Sequence, residues 1–134
     1  MDFNSFITTH SSSFLIISSD DDQPIVQDLY VLIDSSYKLT VSVTNIDYED
    51  DRYNCSTSAI VSPDETRKLA ARLNIAPHKL PLLIGDAMKE WREIINPTFN
   101  QVQDCFKEIT ECLLDEGCRL KIKRTHGPHG FICC

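Results

Sequence analysis

The spacing of apolar residues changes at Ser62, and the change divides the chain into two halves of different predicted structure. Before Ser62, short apolar runs alternate with polar positions and are separated by Ser, Asp and Asn, as is typical of strands. After it, apolar residues recur every three or four positions, as they do in amphipathic helices. The pattern predicts an α+β fold in which residues 1–61 are mainly strands and residues 62–117 are mainly helices.

The first half predicts a β-meander. The clearest pair of strands covers residues 25–33 and 37–46, because apolar and polar residues alternate there and Asp34-Ser35-Ser36 supply a turn. A shorter apolar run from Phe14 to Ile17 and a segment at residues 52–61 add further strands. Short polar connections favour antiparallel neighbours, so we expect an antiparallel meander of about four or five strands.

The second half predicts about three helices covering the sheet. Ser62 can cap the first helix, Pro63 suits its first position, and Glu65 can complete a capping box. This helix covers residues 63–73 and should bury its apolar side chains, which are Leu69, Ala70 and Leu73. A second helix is expected over residues 82–95, before Asn96 and Pro97.

The third helix has the most regular apolar stripe, and Gly117 supplies its terminator. The stripe consists of Phe99, Val102, Phe106, Ile109 and Leu113. Cys105 and Cys112 are seven residues apart on the same side, so we expect both to be small core residues. Residues 119–124 then predict a final edge strand with a basic face, followed by a tail at residues 125–134. The length of 134 residues suits a single domain.

Cysteine content and hydropathy favour a cytoplasmic protein. The chain holds 6 cysteines, but an apolar content of 42% can form a core without a disulfide framework. No apolar run approaches the length needed to cross a bilayer, and residues 1–4 lack the features of a secretory signal. We therefore expect neither a membrane association nor a secreted disulfide scaffold.

Negative charge is concentrated in the strand half. The net charge of −7 combines about −8 in residues 1–60 with about +1 in the remainder. The excess lies in two runs where turns are expected, Asp20-Asp21-Asp22 and Asp47-Tyr48-Glu49-Asp50-Asp51. Clustered charge of one sign accelerates association with an oppositely charged partner. These residues therefore predict a non-enzymatic protein-binding module, such as an inhibitor or immunity-type antagonist of a basic toxin.

The tail gives an alternative hypothesis of a metal-dependent or thiol-dependent enzyme. His126, His129 and Cys133 are residue types that bind zinc, and the intervening glycines and Pro128 would allow a tight turn. The sequence contains no Gly-x-Ser-x-Gly hydrolase motif, no Walker or Gly-rich dinucleotide-binding loop, and no His-Glu-x-x-His metalloprotease motif. Without such support, we expect no enzymatic activity and no resident cofactor.

A second alternative is a DNA-binding regulator with a degenerate helix-turn-helix at residues 65–84. The leucine and alanine spacing fits that motif, but Pro81 interrupts the segment that would read the major groove. An acidic chain with a pI of 4.9 also supplies little affinity for phosphates. We therefore do not expect nucleic acid as a partner. We expect a homodimer if the sheet has an exposed apolar face or if the helical stripe is only half covered.

Overall fold

The computed structural model describes residues 12–19, 25–50, 54–126 and 131–132. The strands are β1 Ser12–Ser18, β2 Ile25–Ile33, β3 Leu39–Asp47, β4 Cys55–Val61, β5 Lys121–His126 and β6 Phe131–Ile132. The helices are α1 Pro63–Arg72, α2 Leu80–Ala87, α3 Lys89–Arg92 and α4 Phe99–Asp115, with a 3₁₀ turn at Pro77–Lys79. The described helices include none that is long and apolar enough to cross a membrane.

The strands form one antiparallel sheet in sequential order, from β1 to β6. The first four strands are consecutive in the chain, and β5 returns beside β4 after the helices. This arrangement confirms the predicted α+β fold with an N-terminal meander, covering helices and a late strand. The two-residue strand β6 was not predicted; it pairs with the end of β5 at Thr125 and His126.

One face of the sheet carries the core beneath the helices. Its central rows contain Leu29, Val31 and Val41, all of which are fully buried. The opposite face mixes hydroxyl and aliphatic side chains: the Ser42 and Ser58 hydroxyls lie 2.9 Å apart there, and Leu32 and Ile60 flank Thr40 in the neighbouring row. The period-2 alternation therefore separates the core face from a more polar, mixed face.

Helix α1 begins at the predicted N-cap, although the predicted capping box is only half formed. The Ser62 hydroxyl accepts a hydrogen bond from the Glu65 backbone N–H at 3.3 Å. The Glu65 carboxylate instead accepts a hydrogen bond from the Arg119 backbone N–H at 3.1 Å. Glu65 thus joins the start of α1 to the segment before β5. Leu69 and Ala70 are buried, whereas Leu73 is 36% exposed, contrary to the prediction.

The predicted second helix is wrong in its bounds. Pro81 occupies the first turn of α2, where its missing N–H has no cost, so the helix begins at Leu80. Met88 interrupts the segment with a non-helical ψ of 24°, which leaves α3 as a separate single turn. Trp91 of α3 packs partly against the core, and its indole N–H donates to the Glu108 carboxylate.

Helix α4 follows its predicted stripe except at two positions. Val102, Phe106, Ile109, Leu113 and Cys105 are buried, and the helix ends before Gly117, whose φ is +87°. Phe99 lies in the first turn and is 39% exposed, and Cys112 is an exposed free thiol. These two residues correct the prediction, because both were expected in the core.

The turn between β2 and β3 is closed by Asp34. Its Oδ1 accepts hydrogen bonds from the backbone N–H groups of Ser36 and Lys38, both at 3.0 Å. Tyr37 adopts a left-handed φ of +71° in the same turn. Partial burial acts to raise the pKa of Asp34, but the bonds from Ser36 and Lys38, with the Lys38 charge, hold it below its usual value.

We predict that Asp34→Asn lowers stability at neutral pH but not in acid. A carboxylate with a depressed folded-state pKa stabilises the fold above its unfolded-state pKa, and this contribution is lost as pH falls below about 4. Thermal unfolding of the variant and of the unaltered chain, at neutral pH and below about pH 4, measures the effect. Asp86→Asn, at an exposed position of α2, controls for the loss of one charge. Equal differences for Asp34→Asn at both pH values would contradict the prediction.

Candidate functional site

The two acidic runs are bracketed by strand ends at the same end of the sheet. Residues 19–24 connect β1 to β2, and residues 48–54 connect β3 to β4. Ile25, which starts β2, pairs directly with Asp47, which ends β3. The β5–β6 connection begins after His126, which pairs with Cys55 at this same end. We call this end of the sheet, with its three connections, the acidic end.

Asp47 holds the start of the β3–β4 connection. Its Oδ1 accepts hydrogen bonds from the Glu49 and Asp50 backbone N–H groups at 2.9 and 3.1 Å. Its own backbone N–H donates to the Asn54 side-chain oxygen at 2.7 Å, across the neck of the connection. The Asp47 carboxylate therefore supports the start of the loop, next to the exposed side chains of Tyr48 and Glu49.

Among the residues that the structure describes at this end, Tyr48 is a strongly exposed aromatic residue, with 72% of its surface accessible. Glu49 beside it is exposed too, and Asp50 is half-buried. The remaining residues predicted for partner binding, Asp20, Asp21, Asp22 and Asp51, lie outside the described residues. Of the predicted set, the structure therefore brings together Asp47, Tyr48, Glu49 and Asp50.

The predicted metal ligands are only partly placed. His126 is the last residue of β5, whereas His129 and Cys133 lie outside the described residues. The register sets His126 directly opposite Cys55 of β4, which sequence reasoning had not linked to the tail. Within the described part of the chain, no three acidic, His or Cys side chains are grouped as metal ligands would be. The zinc site therefore stays a prediction.

A polar row crosses the sheet at the acidic end. Pairing from strand to strand places Gln27, Asn45, Cys55 and His126 in register. Asn45 Nδ2 donates a hydrogen bond to Cys55 Sγ at 3.0 Å. Gln27 Oε1 and Asn45 Oδ1 are buried and find no hydrogen-bond partner among the described residues. Unpaired buried carbonyl oxygens are costly, so such a row is uncommon in a purely structural sheet.

A depression lies at the opposite end of the sheet, between α1 and the segment before β5. Its volume is about 480 Å³, and it contains Lys68, Arg72 and Cys118. Arg72 Nη2 donates to the Glu116 carbonyl at 2.5 Å, and Glu65 accepts from the Arg119 N–H. These groups join two segments of the chain, so we interpret this depression as a structural junction.

The segment predicted as a degenerate helix-turn-helix forms α1, the 3₁₀ turn and α2. Leu80, Pro81 and Gly85 are buried in α2, while Leu82 and Leu83 are 52% and 39% exposed. Outward leucines cannot read base edges, which require hydrogen-bonding side chains in the major groove. The geometry gives no support to DNA binding by this segment.

The chain was compared with protein-family models, with curated proteins and with solved structures. No protein-family model, no curated protein and no solved structure matches this chain.

Proposed function

We propose that the protein is a non-enzymatic binding module that engages a basic protein at the acidic end of its sheet. The observation that carries the proposal is the pairing of Ile25 with Asp47, because it brings the flanks of two acidic runs to neighbouring strands. In the sequence these runs are separated by more than twenty residues. Their combined charge would attract a basic surface over several ångströms and orient it before contact.

Tyr48 supplies the contact that charge alone does not. Aromatic side chains, and tyrosine in particular, are enriched at the centres of protein interfaces because they bury a large area with few rotatable bonds. Tyr48 is 72% exposed and stands next to Glu49 on a loop that Asp47 braces. An exposed ring flanked by carboxylates suits a partner surface in which lysines or arginines surround an apolar patch.

The partner class follows from the sign of the charge. A small acidic protein that covers a basic surface would block whatever that surface contacts, as an inhibitor or an immunity-type antagonist of a toxin does. Nucleases and other proteins that bind polyanions have such surfaces. This finer assignment is supported by charge and by the placement of the loops, and it needs direct identification of the partner.

Affinity capture from the native lysate at low and high salt, followed by mass spectrometry, identifies the partner. We expect a basic protein at stoichiometric amounts, released as salt screens the acidic end. Retention of that protein in high salt would contradict the electrostatic part of the proposal, and capture of no protein would contradict the binding module itself.

The captured partner then allows a test of the loop. We predict that Glu49→Gln combined with Asp50→Asn lowers the association rate constant by about threefold to tenfold at low salt, with a smaller change in the dissociation rate. Surface plasmon resonance measures both constants. Glu111→Gln with Asp115→Asn, at exposed positions of α4, removes the same charge away from the acidic end. An equal reduction by both pairs would show that only total charge matters.

A further inference from the structure

The face of the sheet opposite the helices carries apolar side chains that the described helices leave uncovered. Strand register sets Leu32 and Ile60 on either side of Thr40 in one row, and Tyr30 in the adjacent row of the same face. Leu32, Ile60 and Tyr30 are half-buried, and within the described residues none of them belongs to the core cluster or packs against it. We call this side of the sheet the open face. Apolar residues on a sheet are normally buried against another layer, so the open face has room for one.

The polar side chains in the middle of the open face already have hydrogen-bond partners. The hydroxyls of Ser42 and Ser58 lie 2.9 Å apart, and those of Ser56 and Thr125 lie 2.6 Å apart. Each pair joins neighbouring strands on this face. Covering a hydroxyl with an apolar group is costly when the hydroxyl has no partner, and costs much less when it has one. An apolar surface can therefore cover the open face without leaving these groups unpaired.

Two lysines border the open face along β5. Strand register places Lys121 opposite Ile60 and Lys123 opposite Ser58. Both lysines are exposed, and among the described residues neither has an ion-pair or side-chain hydrogen-bond partner. The neighbouring strand β4 carries no charged residue, and the acid that the described strands carry on this face is Asp28, beyond β4 and β3 on β2. The open face is therefore positive along β5, although the whole chain has a net charge of −7.

We propose that the open face binds an acidic amphipathic helix of a partner protein. The apolar stripe of that helix lies on Tyr30, Leu32 and Ile60, and its carboxylates meet Lys121 and Lys123. A helix suits this face because it satisfies its own backbone hydrogen bonds and covers sheets in layered domains. The unpaired lysines select an acidic helix, since charges at the rim of an interface speed association with the complementary partner. The open face differs from the acidic end both in position and in the sign of its charge.

The test uses the full chain and a fluorescein-labelled helical peptide of about 15 residues, in which glutamates flank a leucine stripe. Fluorescence anisotropy measures its dissociation constant, which we expect to be micromolar at low salt and to rise as salt screens the lysines. A scrambled peptide of the same composition keeps the charge but loses the stripe, and should bind at least about tenfold more weakly. Equal binding of the two peptides, or tighter binding of a single-stranded oligonucleotide of equal charge, would overturn the proposal. A chain that sediments as a dimer and does not bind the peptide would assign the open face to a second copy instead.

Adjacent residues of β5 provide a matched pair of variants. Lys123 lies on the open face, whereas Arg124 pairs with Thr57 on the opposite face, and both are exposed. We expect Lys123→Gln to raise the dissociation constant of the acidic peptide about threefold to fivefold, and Arg124→Gln to raise it less than about twofold. Equal effects would show that only total charge matters and would overturn the proposal. Glu49→Gln with Asp50→Asn, at the acidic end, should leave this constant within about twofold, so the two binding surfaces are tested separately.

Leu32→Thr tests the apolar part of the surface. Threonine is favoured in strands but supplies less apolar area, so we expect the dissociation constant to rise at least about fivefold while its salt dependence stays the same. An unchanged constant would contradict the apolar contact and with it the proposed helix. If thermal unfolding shows that this variant does not fold, the comparison of Lys123→Gln with Arg124→Gln decides.

Discussion

Replacing Ile109 with alanine is expected to lower the free energy of unfolding by about 3 kcal/mol. Ile109 lies in the middle of α4, it is 1% exposed, and it belongs to the core cluster shared by the helix and the sheet. Truncation removes apolar atoms and leaves a cavity that rigid neighbouring strands cannot fill. Leu29 on β2 and Val41 on β3 are both fully buried and leave little room for such a rearrangement.

Thermal and urea unfolding measure this effect, and Leu114→Ala is its matched control. Leu114 lies on the same helix and is 54% exposed, so its truncation should change the free energy of unfolding by less than about 0.5 kcal/mol. For a chain of this size the Ile109 variant should melt roughly 10 °C lower. Similar losses in the two variants would show that α4 buries a different face from the one described.

The ends of the helices and the faces of the strands were predicted well, because the signals for them depend on only a few neighbouring residues. Ser62 caps α1 through its own side chain, and Gly117 terminates α4 by adopting a φ of +87°. Both signals act within one helical turn. The alternation along β3 is also local, and it predicted the burial of Val41 and Val43.

The sequence-based errors have two causes: the helical stripe rotates around the helix along its length, and a proline can either begin or end a helix. Two residues that are seven apart on an α-helix differ by about 20° in their direction around the helix axis. Cys112 therefore points farther from the centre of the buried stripe than Cys105 does. Leu113 occupies the centre at that level of the helix, and Cys112 is exposed. Pro81 was read as an interruption, but a proline fits the first turn of a helix as well as it ends one.

The candidate sites could be predicted only as separate pieces. The exact residue pairs depend on strand register, and a slip of one residue would change every pair, so the alternating pattern alone did not place Ile25 opposite Asp47 or Cys55 between Asn45 and His126. The acidic runs were recognised from composition, whereas the row of Gln27, Asn45 and Cys55 becomes visible only once the register is known.

Replacing Gly85 with valine is expected to destabilise the protein by about 2–3 kcal/mol. Gly85 is buried on α2, and a Cβ at this position would lie 2.5 Å from Cε1 of Phe14 on β1. The ring packs against the core and has the Arg92 guanidinium 4.6 Å from its centroid, so these contacts must shift to make room for a new side chain. Steric conflict thus outweighs the roughly 0.5 kcal/mol by which valine is a better helix former than glycine.

A double-mutant cycle with Phe14 shows whether this contact is the cause. In a Phe14→Ala background the ring is gone, so Gly85→Val should cost at least about 1 kcal/mol less than it does in the unaltered chain. Ala87→Val places the same side chain at an exposed position of α2 and should cost less than about 1 kcal/mol in either background. An undiminished cost of Gly85→Val without the ring would mean that the helix backbone itself requires glycine. Relief by Phe14→Ala would instead show that glycine is needed for the close approach of α2 to β1, which anchors the helical layer on the edge of the sheet.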